Sequence, residues 1–193
     1  MKRCFWLEEA LAGDADTAPP AAGAETADVC IAGGGFTGLW TAIRLKQARP
    51  GLDVVIVERD ICGGGASGRN GGFAISWWSK FLTLQKLCGE EEAVRLAKAS
   101  EDAIREIGAF CDAHGIDAHY RCDGWLWTAT SEPQVGIWAE TVDALERRQL
   151  RPFTELEDAV VTRRAGSDRH IAGVFEQVAA SVQPARLARG LRR

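Results

Sequence analysis

A glycine pattern and one later carboxylate carry the strongest chemical signal in this sequence. Gly33, Gly35 and Gly38 form a G-x-G-x-x-G pattern, and Glu58 stands twenty positions after the last of them. In such a pattern the first glycine permits a tight turn, the second lets backbone approach a pyrophosphate, and the third lets a helix pack closely on a strand. An acidic residue at this distance accepts hydrogen bonds from a ribose 2′-hydroxyl and repels a 2′-phosphate. The spacing therefore predicts a site for a dinucleotide other than NADP.

The segments around these residues have the pattern that such a site requires. Val29–Ala32 and Val54–Val57 are short, continuously apolar runs, which is typical of parallel strands covered on both faces. Between them, apolar residues recur at helical spacing until Pro50 stops the helix. Strand, helix and strand in about thirty residues make a βαβ unit. The N-terminus of its helix offers unpaired N–H groups and a partial positive charge to phosphates.

A second glycine-rich run favours FAD over NAD, because it resembles a motif of a known family. This run is Gly65-Ala66-Ser67-Gly68-Arg69-Asn70-Gly71-Gly72-Phe73. It resembles the second flavin-binding motif of the D-amino-acid-oxidase-like FAD-dependent oxidoreductases. Residues 28–78 are especially similar to the gamma-glutamylputrescine oxidoreductase branch of that family, and further similarity lies at 124–126 and 181–187. The resemblance implies that the cofactor is FAD.

The candidate cofactor-binding residues lie in these two glycine runs and at the end of the second strand. Arg69 can hold a diphosphate or offset the charge of a reduced flavin, and Asn70 can donate and accept hydrogen bonds in the same wall. Backbone N–H groups of a glycine-rich loop can bind phosphate or flavin oxygens. The alternative is a mobile loop that carries a surface arginine. The full set is Gly33, Gly34, Gly35, Phe36, Thr37, Gly38, Glu58, Arg59, Ala66, Ser67, Gly68, Arg69, Asn70, Gly71 and Gly72.

The fold class expected from these elements is α/β. We expect the N-terminal part of an FAD/NAD(P)-binding Rossmann-like domain, incomplete in this chain, with a partial α+β substrate domain. The expected divisions are an extension and linker at 1–27, the βαβ unit and flavin loop at 28–80, a partial substrate or cap region at 81–180, and the start of a helix returning to the FAD domain at 181–193. Further patterns predict helices from about Thr83 to His114, between Glu132 and Arg148, and from Pro184, and strands at Trp125–Ala129 and Ile171–Phe175.

The same resemblance implies an activity. In such enzymes FAD takes a hydride equivalent from the carbon beside an amine, the imine hydrolyses, and O2 or another electron acceptor reoxidises the flavin. The substrate is then a small-molecule amine or amino acid. No catalytic side chain is assigned, because this scheme requires no dedicated acid or base. Family members are longer than this chain, so we expect little or no turnover from this polypeptide alone. A non-catalytic FAD- or nucleotide-binding module, or an inactive fragment, is the alternative.

Other reactive residue types show no constellation. The three histidines, His114, His119 and His170, are interpreted as helix-end or surface residues. Four tryptophans near the motifs, Trp77, Trp78, Trp125 and Trp127, are interpreted as core packing rather than substrate contacts. The six cysteines lie far apart with no metal-ligand spacing, which predicts free, mostly buried thiols and no metal site.

Charge and hydropathy narrow the partners and the location. The net charge of −4 gives no reason to expect nucleic acid or an anionic membrane as a partner. No run approaches the roughly 18 apolar residues that span a bilayer. Glu8 and Glu9 interrupt the apolar residues at the N-terminus, which argues against a secretion signal and for a cytoplasmic location.

The two ends of the chain give weaker patterns. Phe5–Leu7 is predicted to be an apolar tag that docks on the folded body, with a partner-binding motif as the alternative, and residues 12–27 are predicted to be a flexible linker. Four arginines near the end, Arg186, Arg189, Arg192 and Arg193, are predicted to form a solvated helical face rather than an anion-binding patch.

Overall fold

The chain folds into two compact units in the computed structural model, which describes residues 3–14 and 18–193. The first unit comprises Met1–Gly72, Phe110–Tyr120 and Val182–Arg193, and the second comprises Phe73–Ala109 and Arg121–Ser181. The boundary expected at 80/81 falls at 72/73 in this division and the one expected at 180/181 falls at 181/182, while residues 110–120 group with the first unit. Residues 1, 2 and 15–17 of the predicted extension and linker lie outside the described residues.

The first unit is built around a βαβ element. Its elements are α1 (Phe5–Ala12), β1 (Val29–Ala32), α2 (Phe36–Ala48), β2 (Val54–Val57), the last turns of helix α4 (Glu90–His114) and α7 (Pro184–Leu191). Strands β1 and β2 pair in parallel, with Val29 opposite Val54. Both predicted strands are confirmed at the predicted residues, and α2 ends before Pro50 as expected.

The two parallel strands are covered less than the sequence indicated. Ile31 faces α2, since a Cβ placed on Gly38 of that helix would lie 3.2 Å from its Cγ2 atom. The neighbouring Cys30 points to the other face and is exposed, as is Val57 at the end of β2. The prediction that both faces are buried is therefore wrong within the described residues, because α2 covers only one of them.

The second unit is an α+β assembly. Its elements are β3 (Phe73–Ile75), α3 (Phe81–Cys88), the larger part of α4, β4 (Trp125–Ala129), α5 (Ala139–Glu146), β5 (Phe153–Leu156), α6 (Asp158–Ala165), β6 (Ala172–Glu176) and β7 (Ala179–Ser181). Strands β4, β6 and β5 form an antiparallel sheet in that order, and β3 pairs antiparallel with β7. Buried side chains including Trp78, Phe81, Leu145 and Val174 form its core.

One of the two helices predicted in this unit differs from the observed structure. The helix expected from Thr83 to His114 is broken at Gly89, whose φ of 85° is a left-handed conformation that only glycine adopts without strain. The helix expected between Glu132 and Arg148 is confirmed as α5, and a 3₁₀ turn at Glu132–Gln134 precedes it.

The termini of the first unit are more ordered than the patterns suggested. Residues Phe5–Ala12 form a helix, and Leu7 within it is buried. Helix α7 begins at Pro184 as predicted, with Gln183 as its N-cap. The arginines of α7 do not form a solvated face, because Arg189 is only 1% exposed. That prediction is wrong, since acidic groups of the N-terminal segment pair with these arginines.

Candidate cofactor-binding site

The first glycine run forms the turn between β1 and α2. Gly33 has a φ of 106°, a conformation that L side chains rarely adopt, and its N–H donates to the carbonyl of Val57 at 2.8 Å. A Cβ placed on Gly38 would lie 2.0 Å from the carbonyl oxygen of Gly33. Both positions therefore require glycine for the turn itself to form.

Gly35 is required for a different reason. It is the N-cap of α2, and the nearest atom to a Cβ placed there is the Ser67 hydroxyl oxygen at 2.9 Å. A side chain at this position would therefore stand in front of the helix N-terminus rather than collide with backbone. Because the first-turn N–H groups and the helix dipole attract anions, the missing side chain leaves a path for a phosphate.

Glu58 directly follows β2 and bonds to the turn formed by the first glycine run. Its carboxylate accepts hydrogen bonds from the N–H of Gly34 at 2.8 Å and from the N–H of Asp60 at 3.1 Å. These two bonds, that from Gly34 first, hold the pKa of Glu58 below its usual value. The side chain is exposed and adjoins Arg59, also exposed. An ionised carboxylate at this place can accept further hydrogen bonds from ribose hydroxyls.

The second glycine run joins the first one directly. The N–H of Gly63 donates to the carbonyl of Gly34 at 3.0 Å, and the N–H of Phe36 donates to the Ser67 hydroxyl at 2.9 Å. The side chain of Cys62 also packs on Gly34, where a Cβ would lie 2.4 Å from its sulfur. The structure therefore brings the two predicted glycine runs together at the N-terminus of α2. The contact made by Cys62 has no sequence signal that could have indicated it.

Asn70 closes the second run into a loop. Its amide nitrogen donates to the carbonyls of Ala66 and Ser67, and its amide oxygen accepts from the N–H of Gly72 at 2.8 Å. Arg69 is exposed, and its Nε donates to the carbonyl of Gly65 at 3.1 Å. The amide of Asn70 therefore shapes the loop, and the Arg69 side chain is exposed at its surface.

Two further glycines make this loop compact. A Cβ on Gly68 would lie 2.1 Å from the carbonyl oxygen of Gly63. Gly72 has a φ of 74°, and a Cβ there would lie 2.1 Å from the carbonyl oxygen of Val182. All fifteen candidate residues, including the exposed Thr37 and Gly71, thus fall in the first unit.

The three histidines lie in packed positions or at the surface. The His170 ring bonds to the Thr128 hydroxyl at 2.7 Å, and the ring of His114 packs on Phe110 with centroids 4.1 Å apart. His119 is exposed, and its Nε2 lies 3.7 Å from a carboxylate oxygen of Asp117. Within residues 3–14 and 18–193, no group of three or more potential ligands could hold a metal ion.

The tryptophans and cysteines divide between core and surface. Trp78 is buried in the core of the second unit, and Trp125 stacks on Trp127 with centroids 5.6 Å apart. Trp77 is exposed, so its interpretation as core packing is wrong. All six cysteines are free thiols, but Cys111 alone among them is buried, so the prediction of mostly buried thiols is wrong. No helix in the described part of the chain is long and apolar enough to cross a membrane.

The second unit also contains a buried acid that the sequence did not indicate. Glu176, at the end of β6, is 2% exposed and accepts a hydrogen bond from the Ser76 hydroxyl. Its other carboxylate oxygen is buried without a hydrogen-bond partner. Burial raises the pKa of Glu176 to about 7 against the lowering effect of the Ser76 hydrogen bond, and the negative charge of Glu101 adds to the increase.

Comparison with known proteins gives this fold and site a family. The sequence model of the FAD dependent oxidoreductase family, DAO, matches residues 28–193. A gamma-glutamylputrescine oxidoreductase of Escherichia coli (strain K12) is 32% identical over 166 residues, which are 86% of this chain and 38% of the relative. A probable oxidoreductase OrdL of Rhizobium meliloti (strain 1021) is 33% identical over 173 residues, which are 89% of this chain and 40% of the relative.

The solved structure of an L-amino acid deaminase from Proteus myxofaciens has the same fold. It aligns with a TM-score of 0.69 at 22% identity, over 93% of this chain and 39% of that chain. The chain belongs to the family of FAD-dependent oxidoreductases, which confirms the resemblance seen in the sequence. It spans about two fifths of the length of the curated relatives that it matches.

The cofactor of this family is FAD, and the residues of the first unit fit it. A Cβ at Gly35 would stand before the N-terminus of α2, where a phosphate binds best. Glu58 is an ionised acceptor suited to ribose hydroxyls, and the second loop adds backbone N–H groups beside the same helix end. The predicted α/β fold class and the predicted cofactor are thus confirmed.

Proposed function

We propose that the first unit holds FAD between its two glycine-rich loops. Gly33, Gly35 and Gly38 form the cradle for the pyrophosphate at the N-terminus of α2, and Glu58 accepts hydrogen bonds from the adenosine ribose. The observation that carries this assignment is the direct joining of the two loops, through the hydrogen bond from Phe36 N–H to the Ser67 hydroxyl. That bond places the second loop beside the helix N-terminus that attracts phosphate.

The other candidate residues have supporting roles in this proposal. Gly34, Phe36, Thr37 and Arg59 present backbone atoms around the ADP half, and the second loop lies along the diphosphate and the flavin. In that loop Asn70 fixes the backbone through its hydrogen bonds to Ala66, Ser67 and Gly72. The exposed guanidinium of Arg69 provides positive charge for the diphosphate or for a reduced flavin. The contacting set in the second loop is Ala66, Ser67, Gly68, Arg69, Asn70, Gly71 and Gly72.

The activity that we propose for the whole protein is oxidation of the C–N bond of an amine or amino-acid-like substrate. The bound cofactor supplies a two-electron acceptor for a hydride from the carbon beside the nitrogen. The names of the relatives, a gamma-glutamylputrescine oxidoreductase and an L-amino acid deaminase, support this substrate class. O2 or another electron acceptor, and a cytoplasmic location, complete the proposal. No side chain is assigned a catalytic role, and we expect little or no turnover from this polypeptide alone.

A pair of glycine variants tests the cofactor site. Gly35→Ala places a methyl group in front of the α2 N-terminus, 2.9 Å from the Ser67 hydroxyl oxygen. The matched control is Gly51→Ala, because a Cβ at Gly51 would have no atom within 4 Å. We expect Gly35→Ala to weaken FAD binding at least about tenfold, or ~1.4 kcal/mol, while Gly51→Ala binds like the wild type. Fluorescence quenching of added FAD measures both dissociation constants, and equal affinity in the two variants would refute the proposed cradle.

A reduction experiment separates the activity from simple binding. Because little or no turnover is expected from this polypeptide alone, the whole FAD-loaded protein is mixed anaerobically with polyamine derivatives and small amino acids, and its flavin absorbance is followed. Bleaching by one of these amines supports the amine oxidoreductase. Flavin that stays oxidised with every amine supports a non-catalytic FAD-binding module or an inactive fragment. A protein that takes up no FAD contradicts both functions.

A further inference from the structure

The N-terminal helix α1 packs on α7 although it lies outside the residues that match the family. The family model covers residues 28–193, whereas α1 spans Phe5–Ala12. Leu7 and Ala10 of α1 are buried in one apolar cluster with Ala185 of α7, which is fully buried. Burial of apolar side chains at this contact gives the extension a fixed place in the first unit.

Polar contacts fix the same two segments together. Arg186 forms a two-pronged ion pair with Glu9, and the Gln183 amide nitrogen donates to the backbone carbonyl of Trp6 at 2.7 Å. Arg189 donates from its Nε to a carboxylate oxygen of Asp14 at 3.0 Å, and it also bonds to the Asp14 carbonyl at 3.1 Å. A guanidinium buried as deeply as Arg189 is costly without a carboxylate partner, so Asp14 is energetically tied to α7.

Helix α7 in turn packs against the loop formed by residues 63–72. A Cβ placed on Gly63 would lie 3.0 Å from the Cβ of Ala188, and one on Gly68 would lie 3.4 Å from the Cβ of Ala185. Ala185 therefore lies between the 63–72 loop on one side and α1 on the other. The extension also reaches the loop itself, because the Cys4 thiol lies 3.4 Å from the Gly68 carbonyl oxygen.

We propose that α1 is a clamp that holds α7 against the 63–72 loop and thereby sets the affinity of the first unit for FAD. Glu9 is the positioning residue of this clamp, and it acts through Arg186 and Ala185 rather than by touching the cofactor. This inference rests on the proposed FAD site. It assigns a role in cofactor binding to a segment outside the matched residues.

The test compares two ion pairs of similar geometry. Glu9→Ala removes one of the two carboxylate partners of Arg186, which keeps Asp117, and Glu90→Ala removes the partner of Arg148, which is also held through two guanidinium nitrogens but lies in the second unit. The Gln183 amide nitrogen also donates to the Glu9 carboxylate, and Glu9→Gln is a milder variant that keeps an acceptor for Gln183 and Arg186. The measurements are the FAD dissociation constant, amide hydrogen exchange of residues 63–72, and the thermal midpoint without FAD.

The clamp predicts a specific pattern of results. Glu9→Ala weakens FAD binding roughly fivefold, equivalent to ~1 kcal/mol, and speeds exchange in the 63–72 loop. Glu9→Gln gives a smaller change in the same direction, and it replaces Glu9→Ala as the deciding variant if the latter does not fold. Glu90→Ala lowers the thermal midpoint but leaves FAD affinity and loop exchange unchanged. A purely structural role of Glu9 would lower the midpoint alone.

The outcomes distinguish failure of the proposed clamp from failure of the proposed FAD site. If the wild type binds FAD and Gly35→Ala weakens that binding, but the deciding Glu9 variant binds FAD like the wild type, the clamp is refuted while the cofactor site stands. If the wild type takes up no FAD, the proposed function and the clamp both fall. An equal loss of affinity in the Glu9 and Glu90 variants would also overturn the clamp, because the effect would not depend on α1.

Discussion

Replacing Glu176 with glutamine should remove a specific pH dependence from the stability of the second unit. The carboxyl is 2% exposed, and burial is the main cause that raises its pKa to about 7 from an ordinary value of 4.5. Because the folded state holds the proton more tightly, this group favours folding fully below the unfolded pKa. Its contribution is lost as the pH rises through the folded pKa. At about 1.4 kcal/mol per pKa unit, the full shift corresponds to roughly 3 kcal/mol.

The experiment measures the free energy of unfolding in urea at two pH values. Five of the seven tryptophans belong to the second unit and report its unfolding through fluorescence. Between about pH 5 and about pH 8 the wild type should lose roughly 2.5 kcal/mol more than Glu176→Gln. Comparing this difference across pH cancels the constant cost of burying an amide at this position.

A surface variant provides the control for this prediction. Glu91→Gln changes an exposed carboxylate on α4, and we expect it to follow the wild type at both pH values. An equal loss of unfolding free energy in Glu176→Gln and the wild type between the two pH values would contradict the raised pKa of Glu176. The raised pKa predicts the opposite of any gain in wild-type stability over Glu176→Gln with rising pH.

Three further predictions concern two single substitutions and the reactivity of one thiol. Gly124→Ala should prevent folding of the second unit or cost at least about 3 kcal/mol in urea unfolding, since Gly124 has a φ of 85° and a Cβ there would lie 2.2 Å from the Phe175 ring. Glu58→Gln should weaken FAD binding about tenfold in fluorescence titration, because a neutral amide accepts weaker hydrogen bonds than a carboxylate; unchanged affinity would remove Glu58 from the site. Burial raises the pKa of the Cys111 thiol, so Cys111 should react last with a thiol reagent in the native protein, and early labelling found by peptide mapping would contradict its buried position.

The parts of the fold that the sequence predicted are those encoded by nearby residues. Gly33, Gly38 and the two apolar runs specify a strand, a turn and a helix within one short segment, and each acts on its immediate neighbours. The family resemblance then supplied FAD through the second glycine run. Pro184 likewise predicted the start of α7, because its fixed φ suits the first turn of a helix.

The parts that sequence reasoning missed depend on contacts between distant residues. Nothing near Ser67 indicates that its hydroxyl accepts from Phe36, thirty-one residues earlier, or that Glu9 pairs with Arg186 at the other end of the chain. The burial of Glu176 beside Ser76 is equally non-local. Strands β3 and β7 contain three residues each, which is too short for an alternating pattern to be recognised.

The predicted exposure of the arginines at the end of the chain was wrong for the same reason. Charge patterning on a single helix indicates a solvated face, but the acidic partners of α7 belong to a segment more than one hundred and seventy residues away. Gly89 is a different case, because a glycine inside a helical pattern can be tolerated or can end the helix. Only the three-dimensional structure shows that its φ is positive.

The most direct test of the FAD site compares FAD with FMN, which has the flavin but lacks the ADP half. The purified protein is titrated with each flavin, and bound flavin is measured by fluorescence quenching and equilibrium dialysis. Because Gly33, Gly35, Gly38 and Glu58 hold the ADP half in this account, FAD should bind at one per chain, ADP should compete with it, and FMN should bind far more weakly. FMN binding as tightly as FAD, or FAD binding that ADP does not reduce, would contradict the assignment of this cradle.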